Sequence, residues 1–192
     1  MTAEGVQQAP VVLVSGPAGA GKTTVVDHLA RTTGRPTVHA SLDDVRDVVK
    51  SGYADPGDGW SDLASRQYAL ARTTCADLVL RYTAEGYLCF VDDAVFPDWD
   101  EVGLDRWRAE LPGRRVGFAV LLPRFDVLVE RNAHRCGTRR LSGGMLRIIH
   151  DRMQRWRDLG VPVIDNSELA VPDAAARLWR LVDSGEVFDI PS

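Results

Sequence analysis

Short apolar runs alternate with amphipathic segments along most of the chain. Residues 11–15 (VVLVS) are an unbroken apolar run that stops at a glycine-rich turn. Such a run reads as a strand buried on both faces of a parallel sheet. Residues 22–33 then read as a helix, ended by Gly34 and Pro36. The alternation continues, with strands expected at 37–40, 87–91, 116–122 and 161–165. Helices are expected at 43–50, 61–85, 98–111, 125–135, 145–159 and 172–184. Leu63, Leu70, Leu78, Val79 and Tyr82 are expected on the core face of 61–85. Residues 51–60 (SGYADPGDGW) read as loop. This order implies an α/β three-layer sandwich with a parallel, five-stranded sheet in one domain over 1–192. Ligands of such sheets bind beyond the carboxyl ends of the strands. The Gly16 turn, the Asp43 segment and the Asp92–Asp93 pair all fall there.

The turn after the first strand is GPAGAGKTT, residues 16–24, which fits G-x-x-x-x-G-K-[ST]. Glycines let the backbone curl so that successive N–H groups point inward at phosphate oxygens. The helix N-terminus adds a favourable dipole. Gly16, Ala18, Gly19, Ala20, Gly21, Lys22, Thr23 and Thr24 are therefore the expected ATP-binding residues. Lys22 is expected at the β- and γ-phosphates, and the Thr23 hydroxyl on Mg²⁺. This motif between strand and helix makes the fold class a kinase-like P-loop NTPase.

A kinase also needs a carboxylate near the acceptor hydroxyl. SLDDVR, residues 41–46, supplies Asp43 as the candidate base, with Asp44 as the fallback. Arg46 is placed to hold an anionic or polar part of the acceptor. The bland reading is that Asp43 caps a helix and Arg46 is solvated. CFVDD, residues 89–93, puts two acids at the end of a strand. Asp92 is the preferred one, either as an Mg²⁺ ligand through water or as an acceptor contact. RNAHRCGTRR, residues 131–140, places Arg131 and Arg135 one helical turn apart, with Arg139 and Arg140 beyond. A small arginine-rich lid over about 131–144 would neutralise charge on the transferring phosphoryl group, although a solvated basic helix face is the alternative.

Composition narrows the class. Apolar residues make up 45% and charged residues 26%, as in globular proteins. The formal charge of −4 and pI of about 5.6 weigh against a salt-driven nucleic-acid binder. Of 23 basic residues, only Lys22 and Lys50 are lysines. Cys75, Cys89 and Cys136 suggest neither a disulfide framework nor a zinc site, and a reducing cytoplasm fits them. No apolar stretch approaches the ~20 residues needed to span a bilayer, and residues 1–10 lack a signal-peptide run. The four histidines form no ligand spacing, His39 being the hardest to dismiss. Tyr53, Trp60, Phe96, Trp99 and Trp107 read first as packing and second as a stacking surface.

Together these residues resemble the kinase domain of phage-type polynucleotide kinase. The resemblance lies in the phosphate loop, DDVR at 43–46, RNAHR at 131–135, Gly137–Thr138, Leu146–Arg147, Met153 and GVPV at 160–163. It implies Asp43 as general base, Arg46 and Asp92 as acceptor contacts, and Arg135 as the phosphoryl stabiliser. Cys136, between Arg135 and Gly137, departs from that pattern. The chain is also similar to chloramphenicol phosphotransferase-like kinases in the phosphate loop, the Asp after the second strand, and DDAVF at 92–96. The expected activity is transfer of the γ-phosphoryl of ATP, with Mg²⁺, to a hydroxyl of a nucleoside-like or antibiotic metabolite. Phosphorylation of a polynucleotide 5′-hydroxyl is the first alternative. A nucleotide-dependent switch is the second, although no guanine-specific N-K-x-D occurs. Neither the acceptor nor the oligomeric state is legible.

Overall fold

A computed structural model describes residues 9–134 and 140–189. Its centre is one sheet of five parallel strands: β1 (Val11–Ser15), β2 (Thr37–Ser41), β3 (Leu88–Asp92), β4 (Val116–Leu121) and β5 (Val163–Ile164). They lie in the order β2-β3-β1-β4-β5 and every pairing is parallel. β1 is central, so the chain leaves it toward one edge and later returns to fill the other. That switch opens a crevice at the carboxyl end of β1.

Both faces of the sheet are dry. Val12, Val14, Phe90, Ala119 and Leu121 pack under α1 (Lys22–Thr32) and α7 (Val171–Ser184) through Val25, Val26, Leu29 and Leu178. Their strand neighbours Val11, Leu13, Cys89, Val91, Phe118 and Val120 point the other way. They meet α3 (Asp62–Ala84), α4 (Leu104–Glu110) and the carboxyl half of α6 (Gly143–Asp158). Each fully buried aliphatic side chain contributes roughly 1.5–3 kcal/mol, so these two layers fix the carboxyl ends of the strands.

Four expectations need correction. The helix expected at 43–50 is five residues long, α2 (Leu42–Arg46). Val48 and Val49 donate back three residues, to Val45 and Arg46, which tightens and ends the helix. The segment 98–111 is not one helix: Asp100–Val102 is a 3-10 turn, Gly103 is extended, and α4 follows. The last strand pairs only at Val163–Ile164. Finally, α3 turns a different face inward. Leu63, Leu70, Leu78 and Tyr82 are exposed, whereas Ala64, Ala71, Cys75, Ala76 and Val79 are buried. Small side chains let a 23-residue helix lie close to the sheet, so the large apolar residues fall on its outer side.

Candidate active site

The phosphate loop joins β1 to α1 over residues 16–21. Gly16 has φ +148°, and a Cβ there would lie 2.2 Å from the Leu121 carbonyl oxygen at the end of β4. Only glycine fits that approach. Gly21, with φ +90°, is the N-cap of α1 and supplies no side-chain cap. The first N–H groups of α1 therefore keep their capacity for an anion. Lys22 Nζ curls over the loop and donates to the carbonyls of Gly16 (2.9 Å) and Pro17 (3.4 Å). Ala18, Gly19, Gly21, Lys22, Thr23 and Thr24 all line the adjoining cleft. Gly16 supports the loop from below, and Ala20 is fully buried.

Asp92 ends β3 opposite Val14 of β1 and Ser41 of β2. Its side chain is 2% exposed and bridges two elements. The Thr23 hydroxyl donates to Oδ1 at 2.9 Å, and His39 Nε2 lies 2.7 Å from Oδ2. Asp93 is spent differently. Trp107 Nε1 donates to its Oδ2 at 2.8 Å and the Ala94 N–H to its Oδ1 at 2.6 Å. Burial pushes the Asp93 carboxyl up to about 6, against the opposing pull of the Trp107 bond. Beneath this pair, the buried Ser15 hydroxyl donates to Val95 O (3.2 Å) and accepts from Val95 N–H (2.9 Å). It fixes the course of the chain beyond β3.

Asp43 and Asp44 sit in the first turn of α2, whose N-cap is Ser41. Asp43 therefore does not cap the helix; its carboxylate is 56% exposed and lines the cleft. Arg46 is not solvated either, being 4% exposed. Its guanidinium carbon stands 3.9 Å from the Tyr68 ring centre and 5.0 Å from that of Tyr53. Nη1 lies 3.7 Å from Asp43 Oδ1, Nη2 donates to Ala54 O at 3.4 Å, and the buried Nε has no protein partner. Gln67 holds the loop above this pocket by accepting from Ala54 N–H and donating to Gly52 O.

Arg131, near the end of α5 (Phe125–Ala133), reaches the phosphate loop. Its Nη1 donates to Ala20 O (3.4 Å) and its Nη2 to Asn166 O (3.1 Å). Asn166 is buried and donates from Nδ2 to the same Ala20 carbonyl at 2.9 Å. Arg135, Cys136 and Arg139 lie outside the described residues, so the expected lid is described only at its two ends. There, the Asn132 side chain donates to Leu141 O and accepts from Leu141 N–H, closing the base of the segment.

Sequence reasoning missed Ser15 and Asn166 and set His39 aside. No motif marks them, because each acts on a residue far away in the chain.

Among the described residues, no group of three or more His, Cys, Asp or Glu side chains could hold a metal. Mg²⁺ is usually bound by one or two protein oxygens together with substrate phosphates and water. Thr23 Oγ1 and Asp92, hydrogen-bonded to each other beside the loop, are two oxygens that could serve there. No described helix is long and apolar enough to cross a membrane.

One cleft of about 1120 Å³ joins the phosphate loop, Asp43, Arg46, Arg131 and Asn166. Against this geometry, a family model described as an AAA domain matches residues 11–159. The chain belongs to that family. A comparison with curated proteins returns no match. Solved structures share the fold over nearly their whole length. A candidate kinase of Chloroflexus aurantiacus is 22% identical, with 94% of this chain and 100% of that chain covered and a TM-score of 0.63. Shikimate kinase from Acinetobacter baumannii, in complex with shikimate, is 18% identical, with coverage of 94% and 97% and a TM-score of 0.61. Thymidylate kinase from Candida albicans is 10% identical, with 96% of each chain covered and a TM-score of 0.66. At these identities the likeness establishes the kinase-like P-loop fold.

Proposed function

We propose that this protein transfers the γ-phosphoryl of ATP to a hydroxyl of a small molecule, with Asp43 as general base. The observation that carries the reading is one cleft holding a phosphate loop at one end and an accessible carboxylate beside a buried arginine at the other. The fold shared with shikimate kinase supports it.

In this reading the loop N–H groups and Lys22 bind the β- and γ-phosphates. Thr23 and Asp92 would hold Mg²⁺, Asp92 through water, and His39 would keep Asp92 oriented. Bound Mg²⁺ would supply charge neutralisation at the β- and γ-oxygens. The acceptor oxygen attacks the γ-phosphorus as its proton passes to Asp43. The bond from that phosphorus to the bridging oxygen breaks, and ADP leaves. Arg46 holds a polar part of the acceptor, and Asp92 is the alternative acceptor contact. Arg131 steadies the loop, and Arg135 is assigned the transferring phosphoryl by resemblance to polynucleotide kinase.

The resemblance to polynucleotide kinase leaves a 5′-hydroxyl acceptor as the second reading, and that to chloramphenicol phosphotransferase-like kinases goes with the first. The formal charge of −4 favours a small molecule over a phosphate backbone. A mass-spectrometric screen with ATP and Mg²⁺ tests the proposal. It should include oligonucleotides, nucleosides and hydroxylated antibiotics. Phosphate added to a small hydroxyl compound supports the proposal. ATP hydrolysis without any acceptor, dependent on a protein partner, would favour the switch instead.

A further inference from the structure

The outer face of α3 turns large apolar side chains to solvent. Among the described residues ten such side chains are exposed, and Leu63, Leu70, Leu78, Tyr82 and Tyr87 make up half of them. Four lie along α3, and Tyr87 follows just beyond it, its ring 5.4 Å from that of Tyr82 between centres. Leu70, near the middle of the helix, is 67% exposed. A single exposed leucine is ordinary, but a row of them is the mark of an interaction surface. Tyr68, the α3 side chain that lines the cleft, is two residues from Leu70 and therefore on the other side of the helix.

The charges beside the row point to what covers it. Asp62, Arg66, Asp77 and Arg81 are all exposed on α3. Each aspartate could pair with the arginine four residues on. Yet among the described residues none of the four is ion-paired. Their order is acid, base, acid, base, so the reversed order is opposite at every position. The gaps between them, 4, 11 and 4 residues, are symmetrical. A second α3 laid antiparallel, with its two-fold axis level with Ala71, therefore sets Asp62 opposite Arg81 and Arg66 opposite Asp77, each twice. The same alignment sets Leu70 against Leu70 and Leu63 against Leu78. Every pair is level to within about 3 Å along the helix, at about 1.5 Å per residue. A parallel pairing in register would put like charges together. Such a self-complementary patch is what a two-fold dimer requires.

We infer that the outer face of α3 docks on the same face of a second copy of this chain, antiparallel about Ala71. The face is turned away from the cleft, and the pairing does not depend on the kinase reading. One helix pair is a small interface, so the dimer is a weak one, with a Kd on the order of 10–100 µM.

The test is sedimentation velocity of the full chain, without ligands, from about 1 to about 500 µM. The native chain should pass reversibly from monomer to dimer over that range. Leu70→Lys, at an exposed position, should raise the Kd about tenfold or more. Its thermal melt at the lowest concentration should match that of the native chain. Arg66→Asp and Asp77→Arg should each weaken the dimer about threefold or more, because like charges then face each other. The double variant Arg66→Asp/Asp77→Arg should restore it. Within one helix these two positions are about 16 Å apart, so the rescue can come only from the second copy. A monomer at every concentration, a dimer indifferent to Leu70→Lys, or a double variant no better than the single ones overturns the inference.

Discussion

Thr23 and Asp92 stand 69 residues apart in the chain, and the hydroxyl of one donates to the carboxylate of the other at 2.9 Å. The contact joins the first turn of α1 to the end of β3, beside the phosphate loop. His39, from β2, closes on the second oxygen of the same carboxylate.

This chain of contacts predicts a metal phenotype. Asp92→Asn should raise the Mg²⁺ concentration for half-maximal activity at least tenfold. His39→Ala should raise it about tenfold, the usual effect of losing a partner of a metal ligand. Nucleotide binding measured in EDTA should change little in either variant. Titration of activity against Mg²⁺ checks both; an unchanged requirement in Asp92→Asn removes Asp92 from the metal site.

Gly16 and Gly21 should separate the cost of a close backbone approach from that of a positive φ alone. A Cβ at Gly16 meets the Leu121 carbonyl oxygen at 2.2 Å, so Gly16→Ala must displace β1 or β4. We expect a loss of at least ~2 kcal/mol in urea unfolding. At Gly21 the nearest atom would be 3.8 Å away, and the strain comes only from φ +90°. Gly21→Ala should cost about 1–2 kcal/mol. Equal losses would show that the close approach to β4 does not matter.

Asn166 and Arg131 both donate to the Ala20 carbonyl. Asn166→Ala leaves that carbonyl with the longer contact alone. ATP affinity by calorimetry should fall about threefold to tenfold, within the range for one hydrogen bond. Unchanged affinity would make Asn166 a packing residue only.

The buried Asp93 sets a pH dependence of stability. Its carboxyl is raised from 3.8 to about 6 in the folded protein, so the folded state binds the extra proton between those values. Stability from this group is greatest below pH 4, falls as pH rises toward 6, and stays low above. The drop is on the order of 2–3 kcal/mol at about 1.4 kcal/mol per unit. Asp93→Asn should lose this slope in thermal melts between pH 4 and 7. A variant that keeps it places the titration elsewhere.

Sequence reasoning reached the sheet and the phosphate loop for a local reason. VVLVS followed by GPAGAGKTT is a continuous signal, with the apolar run and its turn adjacent in the chain. The Asp43 and Asp92 positions followed because strand ends are predictable once strands are. The buried face of α3 was not legible, because periodicity weights Leu63 and Leu70 over Ala71 and Ala76, and close packing selects the small side chains. Ser15, His39 and Asn166 were hidden for a different reason. Their partners, Val95, Asp92 and Ala20, lie 80, 53 and 146 residues away. Only tertiary structure brings such pairs together. The end of α2 after Arg46 was likewise not legible, since it is set by the turn bonds of Val48 and Val49 to Val45 and Arg46.

The most direct test of the account is single-turnover transfer from ATP labelled with ¹⁸O in the γ-phosphoryl. It compares the native chain with Asp43→Asn, using mass spectrometry to follow a hydroxyl acceptor found in the screen. The native chain should place the labelled phosphoryl on the acceptor. Asp43→Asn should bind ATP with unchanged affinity and transfer about 10²- to 10⁴-fold more slowly, the range for losing a general base. Transfer by Asp43→Asn at the native rate, or label that appears only in inorganic phosphate with the native chain, would contradict the account.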